Sequence, residues 1–522
     1  MRKLGAILLL LGIAAALGEI FGLALPTAKW FFEASRDIVF LNLGGFPWFG
    51  WLCVLGLLAM GVLGLFYEQL RGPLSPTTRR RIERFKGIRR GYYSLWVLLV
   101  LVGLAGLDQI IVGNRALAVN YKGEWTFPAF SRETFTASRF GETGEMARSE
   151  VDFRALQTRL QQSGEGRVVM PLIPFASTGD TLPRRSRALD VRDGRCFEPN
   201  ESERGFSGLA SRLYDVASGE QQLRYHYRNG LPDGPAEGWD RNGSAVYRAS
   251  YARGQLISDS YTGEGTKEDF LASAEARELR QVFYHPAPPL PSQGSWLGTT
   301  SQGYDVLAYL FGGLQVNIKA AIIFIPIVYM IGITLGLLMG FFGGTFDLVV
   351  QRIIEIFSNV PFLFIVIIIS SAVPEAYKGL PVILGILVVF GWMGMTYLMR
   401  TAALKEKSRE YISSARVIGA STPRIIFRHL LPNSVAIVVT IIPFSIEGLI
   451  SSLTALDYLG FGLPPRDATW GRLLNDGLSN PSSAPWLVTS TFVVLVSVLI
   501  LITFVGEAVR EAFDPKKFTY YR

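Results

Sequence analysis

Glu447 and Glu19 are the deepest acids in the long apolar runs, and they are the first side chains able to do chemistry. Glu19 lies in the run 4–25 and Glu447 in the run 435–455. A carboxylate in hydrocarbon is costly, so such a residue marks a solute pathway or a pairing within a helix bundle. Glu447, in the run that leads into Leu456–Pro465, is placed to meet a cationic amino group; Glu19 is expected to pack or to lie near a surface. Asp457 and Tyr458 follow directly and join Glu447 as pathway candidates. Other chemistry is scarce. His226, His285 and His429 are too dispersed for a metal site, and Cys53 and Cys196 fall in regions that cannot pair. No Gly-x-x-x-x-Gly-Lys-Ser/Thr phosphate loop and no nucleophile elbow occurs. The chain is therefore read as no enzyme, with no catalytic, metal or cofactor-binding residue.

The segment 403–433, above all Glu410 to Asn433, carries the densest local pattern. It predicts two short amphipathic helices with a turn between them. Gly419 suits the left-handed position that ends the first. Thr422 can cap the second, with Pro423 at its first helical position, where a missing N–H costs nothing. Ile425, Ile426 and Leu430 make an apolar stripe, with Arg424 and Arg428 beside it. Such a helix can rest on lipid or seat on a protein, and the pattern alone leaves both open.

The elements that must position these residues are read from hydropathy. Hydrophobic residues make up 49% of the 522, and they fall in eight blocks: 4–25, 48–67, 94–113, 316–342, 353–373, 380–399, 435–455 and 485–506. Each approaches the roughly 20 residues that cross a bilayer as helix. An isolated segment in lipid can satisfy its backbone only within itself. The expected fold class is an all-α polytopic membrane bundle of about eight transmembrane helices, carrying a periplasmic α+β insert. Met1-Arg2-Lys3 before an apolar run also fits a signal peptide, but the run is long and a second follows closely, so a retained anchor is expected. Pro326, Pro361 and Pro443 are expected to kink their helices.

Positive charge orients the bundle. Arg71, Arg79, Arg80, Arg81, Arg84, Lys86, Arg89 and Arg90 form one cluster; Lys405, Lys407, Arg409, Arg416, Arg424 and Arg428 a second; Arg510, Lys516, Lys517 and Arg522 a third. All three lie on the cytoplasmic side if both termini do. Between membrane spans, basic runs anchor the chain, and no nucleic acid is expected as a partner. The polar stretch holds 23 Lys/Arg and 24 Asp/Glu over 114–300, so the net +8 belongs to the cytoplasmic parts. The plan is two extra N-terminal transmembrane helices in 1–70, a basic cytoplasmic linker in 71–93, a transmembrane helix in 94–113, a periplasmic domain in 114–312, a membrane core in 313–506 and a cytoplasmic tail in 507–522.

Inside the polar domain a unit repeats. Gly219 and Gly243, Arg224 and Arg248, Tyr227 and Tyr251, and Gly230 and Gly254 are each 24 apart. Aromatic alternation broken by Asn-Gly and Asp-Gly signals hairpins, so about 205–262 is expected to be β, with Tyr225, Tyr227, Tyr247 and Tyr251 as an exposed aromatic face. The unit resembles MORN-type repeats. Met146, Val151, Phe153, Leu156 and Leu160 predict a helix over 146–163, and Pro286 to Pro291 a stiff linker.

The 410–433 loop resembles the EAA loop of ABC-importer permeases. Gly419 and Pro432 keep that motif's 13-residue spacing, and Arg428-His429-Leu430-Leu431-Pro432-Asn433 has the form of the oligopeptide/dipeptide/nickel branch. The name-giving triplet departs, as Ser413-Ser414-Ala415. Trp296 to Leu307 resembles the segment before that branch's core spans, with Thr300 in place of an acid and Tyr304 of an often basic residue. Leu456 to Pro465 with Trp470-Gly471 resembles the loop after the penultimate span. Arg84 to Trp96 and Tyr121 to Pro128 resemble the Yej-type permeases, linked to peptides and microcin C-like antibiotics.

The resemblance implies a permease subunit of an ATP-driven importer of oligopeptides or peptide-like antibiotics in the bacterial inner membrane. It implies a second permease subunit, two ABC ATPase subunits that hold ATP and Mg, and a periplasmic peptide-binding protein. The loop would be the ATPase-coupling element, through Glu410, Ala415, Arg416, Gly419, Ala420, Pro423, Arg424, Arg428 and Pro432. The competing reading is a membrane-anchored sensor or scaffold with a ligand-binding periplasmic repeat domain.

Overall fold

The computed structural model of the chain describes residues 2–23, 32, 48–71, 76–142, 145–182, 185–199, 204–215, 220–273, 278–283, 285–291, 294–374 and 377–514. Gly219 of the repeat and Lys516, Lys517 and Arg522 of the basic tail lie outside the described residues. The chain divides into two compact units, one of 1–179, 307–479 and 488–522, the other of 180–306 and 480–487. The stretch 114–312 is thus divided near Asp180.

The first unit is mostly helix. It begins with α1 (Arg2–Ile20), α2 (Trp48–Arg71), α3 (Pro76–Gly87), α4 (Arg89–Gly106) and the single turn α5 (Asp108–Ile111). Glycines let α1 and α2 touch backbone to backbone: a Cβ on Gly5 would stand 2.5 Å from Leu65 N, and one on Gly61 2.7 Å from Leu9 N. Small residues serve this purpose in lipid, where apolar side chains gain little by leaving the acyl chains. A small sheet follows, ordered β2-β1-β3 from β1 (Ala118–Tyr121), β2 (Glu124–Thr126) and β3 (Gly166–Val169). The helix expected over 146–163 is confined to α6 (Phe153–Ser163), because Asp152 caps it by accepting from Arg154 N at 2.9 Å and Ala155 N at 3.4 Å.

The second unit contains β4 (Arg185–Ala188), the small pair β5 (Asp190–Arg192) and β6 (Arg195–Phe197), then β7 (Gly208–Asp215), β8 (Glu220–Arg228), β9 (Leu231–Trp239), β10 (Ala245–Ala252), β11 (Gln255–Tyr261), the short helix α7 (Lys267–Ala272) and β12 (Arg280–Phe283). Seven strands form one antiparallel sheet, ordered β11-β10-β9-β8-β7-β12-β4. The 24-residue spacing is that of two tight turns. Asn229-Gly230 has φ of 49° and 83°, and Arg253-Gly254 has φ of 47° and 89°, the positive pair that a two-residue primed turn requires. The tyrosines are not an exposed face. Strand alternation puts Tyr225 and Tyr227 on the side of Leu223, and Tyr247 and Tyr251 on the side of Ala249, so Tyr247 is 3% exposed and the others pack half-buried against apolar clusters. The opposite side carries Arg224, whose Nη2 donates to Glu237 at 2.6 Å.

The first unit resumes with α8, which starts at the boundary residue (Val306–Phe342), α9 (Gly344–Asn359), α10 (Phe362–Ala372), α11 (Leu380–Lys407), α12 (Glu410–Val417), α13 (Thr422–Ile425), α14 (Leu431–Tyr458), α15 (Trp470–Ser479) and α16 (Pro485–Phe513). Among the described residues, four helices are long and apolar enough to cross a membrane: α8, α11, the run Thr422–Tyr458 and α16. Counting α3 with α4 and α9 with α10, pairs bent by 92° and 80°, makes six. Of the roughly eight spans expected from hydropathy, four are met by single long helices and two more if each bent pair is one span, because hydropathy is blind to breaks in the backbone. The run 353–373 crosses Pro361, which has no N–H to extend α9 and caps α10 instead. The apolar parts of α1 and α2, Gly5–Ile20 and Gly50–Phe66, are shorter than the four long helices. Pro326 and Pro443 lie within unbroken helices.

Glycine also sets the closest packing of the core. On α8, Gly332, Gly336 and Gly340 repeat every fourth residue; a Cβ there would fall 2.8 Å from Met395 Cβ, 2.5 Å from Thr396 O and 2.5 Å from Ala403 Cβ of α11. Near the same end Arg400 of α11 grips Asp347 of α9 with two bonds of 2.6 Å.

Candidate functional site

The 410–433 loop is a rigid turn with an apolar tip. α12 ends in a Schellman turn: Gly419 N donates to Arg416 O at 2.9 Å, Ala420 N donates to Ala415 O at 3.0 Å, and Gly419 has φ +81°. Side chains other than glycine's pay for that conformation. The second helix starts one residue earlier than its sequence suggests, with Ser421 in the cap position, no side-chain capping bond, and Pro423 in the first turn. It continues through a π turn, Ile426–Leu430, into α14. Pro432 accounts for that turn: it has no N–H to give Arg428 O, and its ring would crowd that carbonyl in regular helix.

Burial sorts the loop into an anchor and a tip. Ile412, Ala415, Ile425, Ile426 and Leu430 are all below one-tenth exposed and belong to the apolar core of α8, α11 and α14. The stripe predicted to lie on lipid or on a partner therefore faces the chain's own core. Val417 is 88% and Ile418 85% exposed, so the most apolar part of the tip lies bare in this chain. Around them Glu410, Arg416, Gly419, Pro423, Arg424, Arg428 and Pro432 are exposed and Ala420 is half-buried. Arg416 also lies over the Phe341 ring at 5.2 Å, which holds the turn against the end of α8. Tyr411, which the motif does not single out, braces the base: its phenol donates to Glu406 of α11 and accepts from Asn433 of α14.

A cavity of about 420 Å³ opens between α8, α10, α11 and α14, lined by Phe324, Tyr329, Phe362, Phe390, Ile441 and Ser445 among others. Its wall is apolar and aromatic, with Tyr329 Oη and Ser445 Oγ hydrogen-bonded at 2.8 Å. Glu447 is not among the lining residues. Two residues beyond Ser445, it is turned about 200° round the helix, and it accepts from Thr503 Oγ1 of α16 at 3.2 Å. Glu19, at the end of α1, is gripped by both guanidinium nitrogens of Arg132.

Asp457 is buried and closes the loop that follows α14. Its Oδ1 accepts from Leu463 N at 2.7 Å, and a side chain on Gly462 would overlap that oxygen. Arg472 spans the same loop, donating to Leu463 O, Pro464 O and Asp467 O. Trp470 Nε1 donates to Leu310 O of α8 at 2.9 Å. Tyr458 is half-buried, and its carbonyl accepts from Asn475 at 2.9 Å. In the second unit, beside the exposed Trp296, the buried Ser295 donates to the buried Asp305 at 2.9 Å and the buried Thr299 bonds His285 at 2.8 Å.

Comparison with known proteins places this architecture. Residues 332–519 match the family described as binding-protein-dependent transport system inner membrane component. The chain is 30% identical over 445 residues to the peptidoglycan transport system permease protein YejE of Agrobacterium fabrum, covering 85% of this chain and 94% of that one. It is 30% identical over 444 residues to the inner membrane ABC transporter permease protein YejE of Escherichia coli, covering 85% and 98%. The oligopeptide transport system permease protein OppC of Bacillus subtilis is 30% identical over 226 residues, covering 43% and 73%.

Proposed function

We infer that this chain, which belongs to the YejE-type family of inner membrane ABC transporter permeases, carries oligopeptides or peptide-like antibiotics into the bacterial cell. It is a multi-pass inner membrane protein and a permease subunit of an ABC importer, whose ATPase activity lies in separate subunits. The peptide cargo is supported by the relatives named for oligopeptide and peptidoglycan transport.

The observation that carries the mechanism is the contrast within 410–433: a buried stripe fixes the loop, while Val417 and Ile418 stand bare at its tip. In this reading the tip seats in a cleft of an ATPase subunit that holds ATP and Mg. Arg416, Arg424 and Arg428 meet acidic groups there. Closure of the ATPases on ATP pushes the turn, and α12 and α14 pass the displacement to the cavity. ATP binding then selects between two packings of the spans, which is all a nucleotide can do to a membrane bundle.

The reading places both termini and the three basic clusters in the cytoplasm and the second unit in the periplasm, where a peptide-binding protein delivers cargo. Tyr329 and Ser445 offer hydroxyls to a passing backbone. Glu447, Asp457 and Tyr458 frame that route, and the bonds of Glu447 to Thr503 and of Asp457 to Leu463 support a framing role. The test is purification from the native membrane followed by reconstitution. Co-elution of a second permease and two ATPase chains, with ATP-driven peptide uptake in liposomes, is expected; a chain that elutes without an ATPase is a sensor or scaffold instead.

A further inference from the structure

The outward face of α3 is lopsided in composition. Between Arg71 and Arg90 there are eight basic residues and a single acid, Glu83, which lies on the surface 3.0 Å from Arg79. Exposed pairs of this kind neutralise little. One side of α3, through the half-buried Thr78, Arg81 and Phe85, faces the chain, and the Arg81 guanidinium lies 4.8 Å above the ring of Phe513 at the end of α16. The other side shows Arg79, Arg80, Ile82 and Lys86, and exposed Arg89 and Arg90 continue it.

Two further observations say what covers this face. α3 meets the apolar α4 at 92°, so it lies flat if α4 stands upright in the membrane. The first turns of α4 present Tyr93 and Trp96, 63% and 53% exposed, with the Tyr92 and Trp96 rings 6.3 Å apart. Exposed Tyr and Trp at the start of an apolar helix mark headgroup depth. The basic face therefore lies beside lipid phosphates, with Ile82 at the acyl boundary and the long Arg and Lys stems spread along it.

We propose that α3 is an interfacial helix that gathers anionic lipid headgroups, with Arg80, Lys86, Arg89 and Arg90 holding the phosphodiester oxygens. Charge complementarity with the anionic inner leaflet selects this occupant over a zwitterionic lipid. Because Arg81 ties α3 to the end of α16, the bound headgroups also brace the end of the last span.

The test uses the intact complex in nanodiscs of phosphatidylcholine doped with spin-labelled phosphatidylglycerol. The wild type is expected to enrich phosphatidylglycerol in its immobilised lipid shell, on the order of fivefold for even one fully engaged basic residue, and to lose that enrichment as salt rises. The R80Q/K86Q/R89Q/R90Q variant should bring the shell to the bulk composition, while R80K/R89K/R90K keeps the enrichment. Salt titration of the wild type stands alone as a test if the glutamine variant fails to assemble. No enrichment in the wild type, or enrichment that salt and the glutamine variant leave unchanged, overturns the proposal. So does loss of ATPase association by that variant with lipid enrichment intact, which would assign the face to the ATPase.

Discussion

The phenol of Tyr411 donates to Glu406 Oε2 at 2.8 Å, and Asn433 Nδ2 stands 3.1 Å from the same phenol oxygen. Three helices thus share one hydroxyl: the end of α11, the start of α12 and the start of α14. A turn that transmits force must not swivel at its base, and this bond set removes the swivel. Tyr411→Phe is expected to leave insertion and assembly intact, since a typical hydrogen bond contributes about 0.5–1.5 kcal/mol. Peptide-stimulated ATP hydrolysis should fall several-fold while basal hydrolysis holds. Burial, then the Glu406 carboxylate, pushes the Tyr411 phenol up from its ordinary value. The neutral donor, and the stability it adds, is fully present below the ordinary phenol range and lost only as pH rises through the raised value. Stimulation carried by this bond should therefore be flat across neutral pH.

Arg400 and Asp347 test the packing of the core. Their two bonds of 2.6 Å hold α9 to α11 beside the closely packed Gly336 and Gly340. Removing Arg400 strands the buried Asp347 carboxylate and costs on the order of 1–3 kcal/mol. Arg400→Leu should lower the thermal midpoint of the purified complex and its abundance in membranes. The double variant Arg400→Leu with Asp347→Leu should recover much of that loss, and a double variant as unstable as the single one would deny the pair its role.

Orientation is open to thiol labelling, but not through the native cysteine. Cys196 is 1% exposed, and burial followed by the charge of Asp190 pushes its thiol up to about 11, so little thiolate exists at neutral pH to react. The loop tip between β9 and β10 is exposed at Asn242. In a background with both cysteines replaced by alanine, Asn242→Cys should react with a membrane-impermeant maleimide applied outside the inner membrane. Labelling only after lysis would invert the topology.

The repeat sheet is expected to be an accessory. Replacing 184–284 with a short Gly/Ser linker leaves the bonds of His285 to Leu182 O and Thr299 available, at 2.9 Å and 2.8 Å in the intact chain. Assembly with the partner permease and ATPases should survive, and peptide-stimulated ATP hydrolysis should stay within a few-fold. If assembly survives and stimulation disappears, the sheet is a docking or gating element.

Local physics made part of this legible. Gly419 and the Asn229-Gly230 turn need positive φ whatever surrounds them, so their residue types announce them. Long-range choices were not. Glu19 finds Arg132, and Asp347 finds Arg400, only once the helices are assembled. Glu447 reads as a deep acid in an apolar run, but which side of α14 it occupies depends on where α16 packs. The stripe Gly332, Gly336 and Gly340 was visible as small residues every fourth position and would have pointed to a close helix contact, though not to α11 as the partner. The exposed tyrosine face failed because alternation gives two faces, and the sequence of a strand does not say which one the rest of the domain covers.

The central claim is that the tip of the 410–433 turn seats on an ATPase, and Ile418 tests it most directly. Gly419→Glu would also probe the seat, but at φ +81° it strains the turn itself. Ile418 is 85% exposed with ordinary right-handed backbone, so Ile418→Glu changes the tip's surface and little else. The account predicts normal insertion and abundance, normal pairing with the partner permease, and loss of both ATPase co-purification and ATP-driven peptide uptake. Full uptake by Ile418→Glu, with the ATPases still bound, would contradict it.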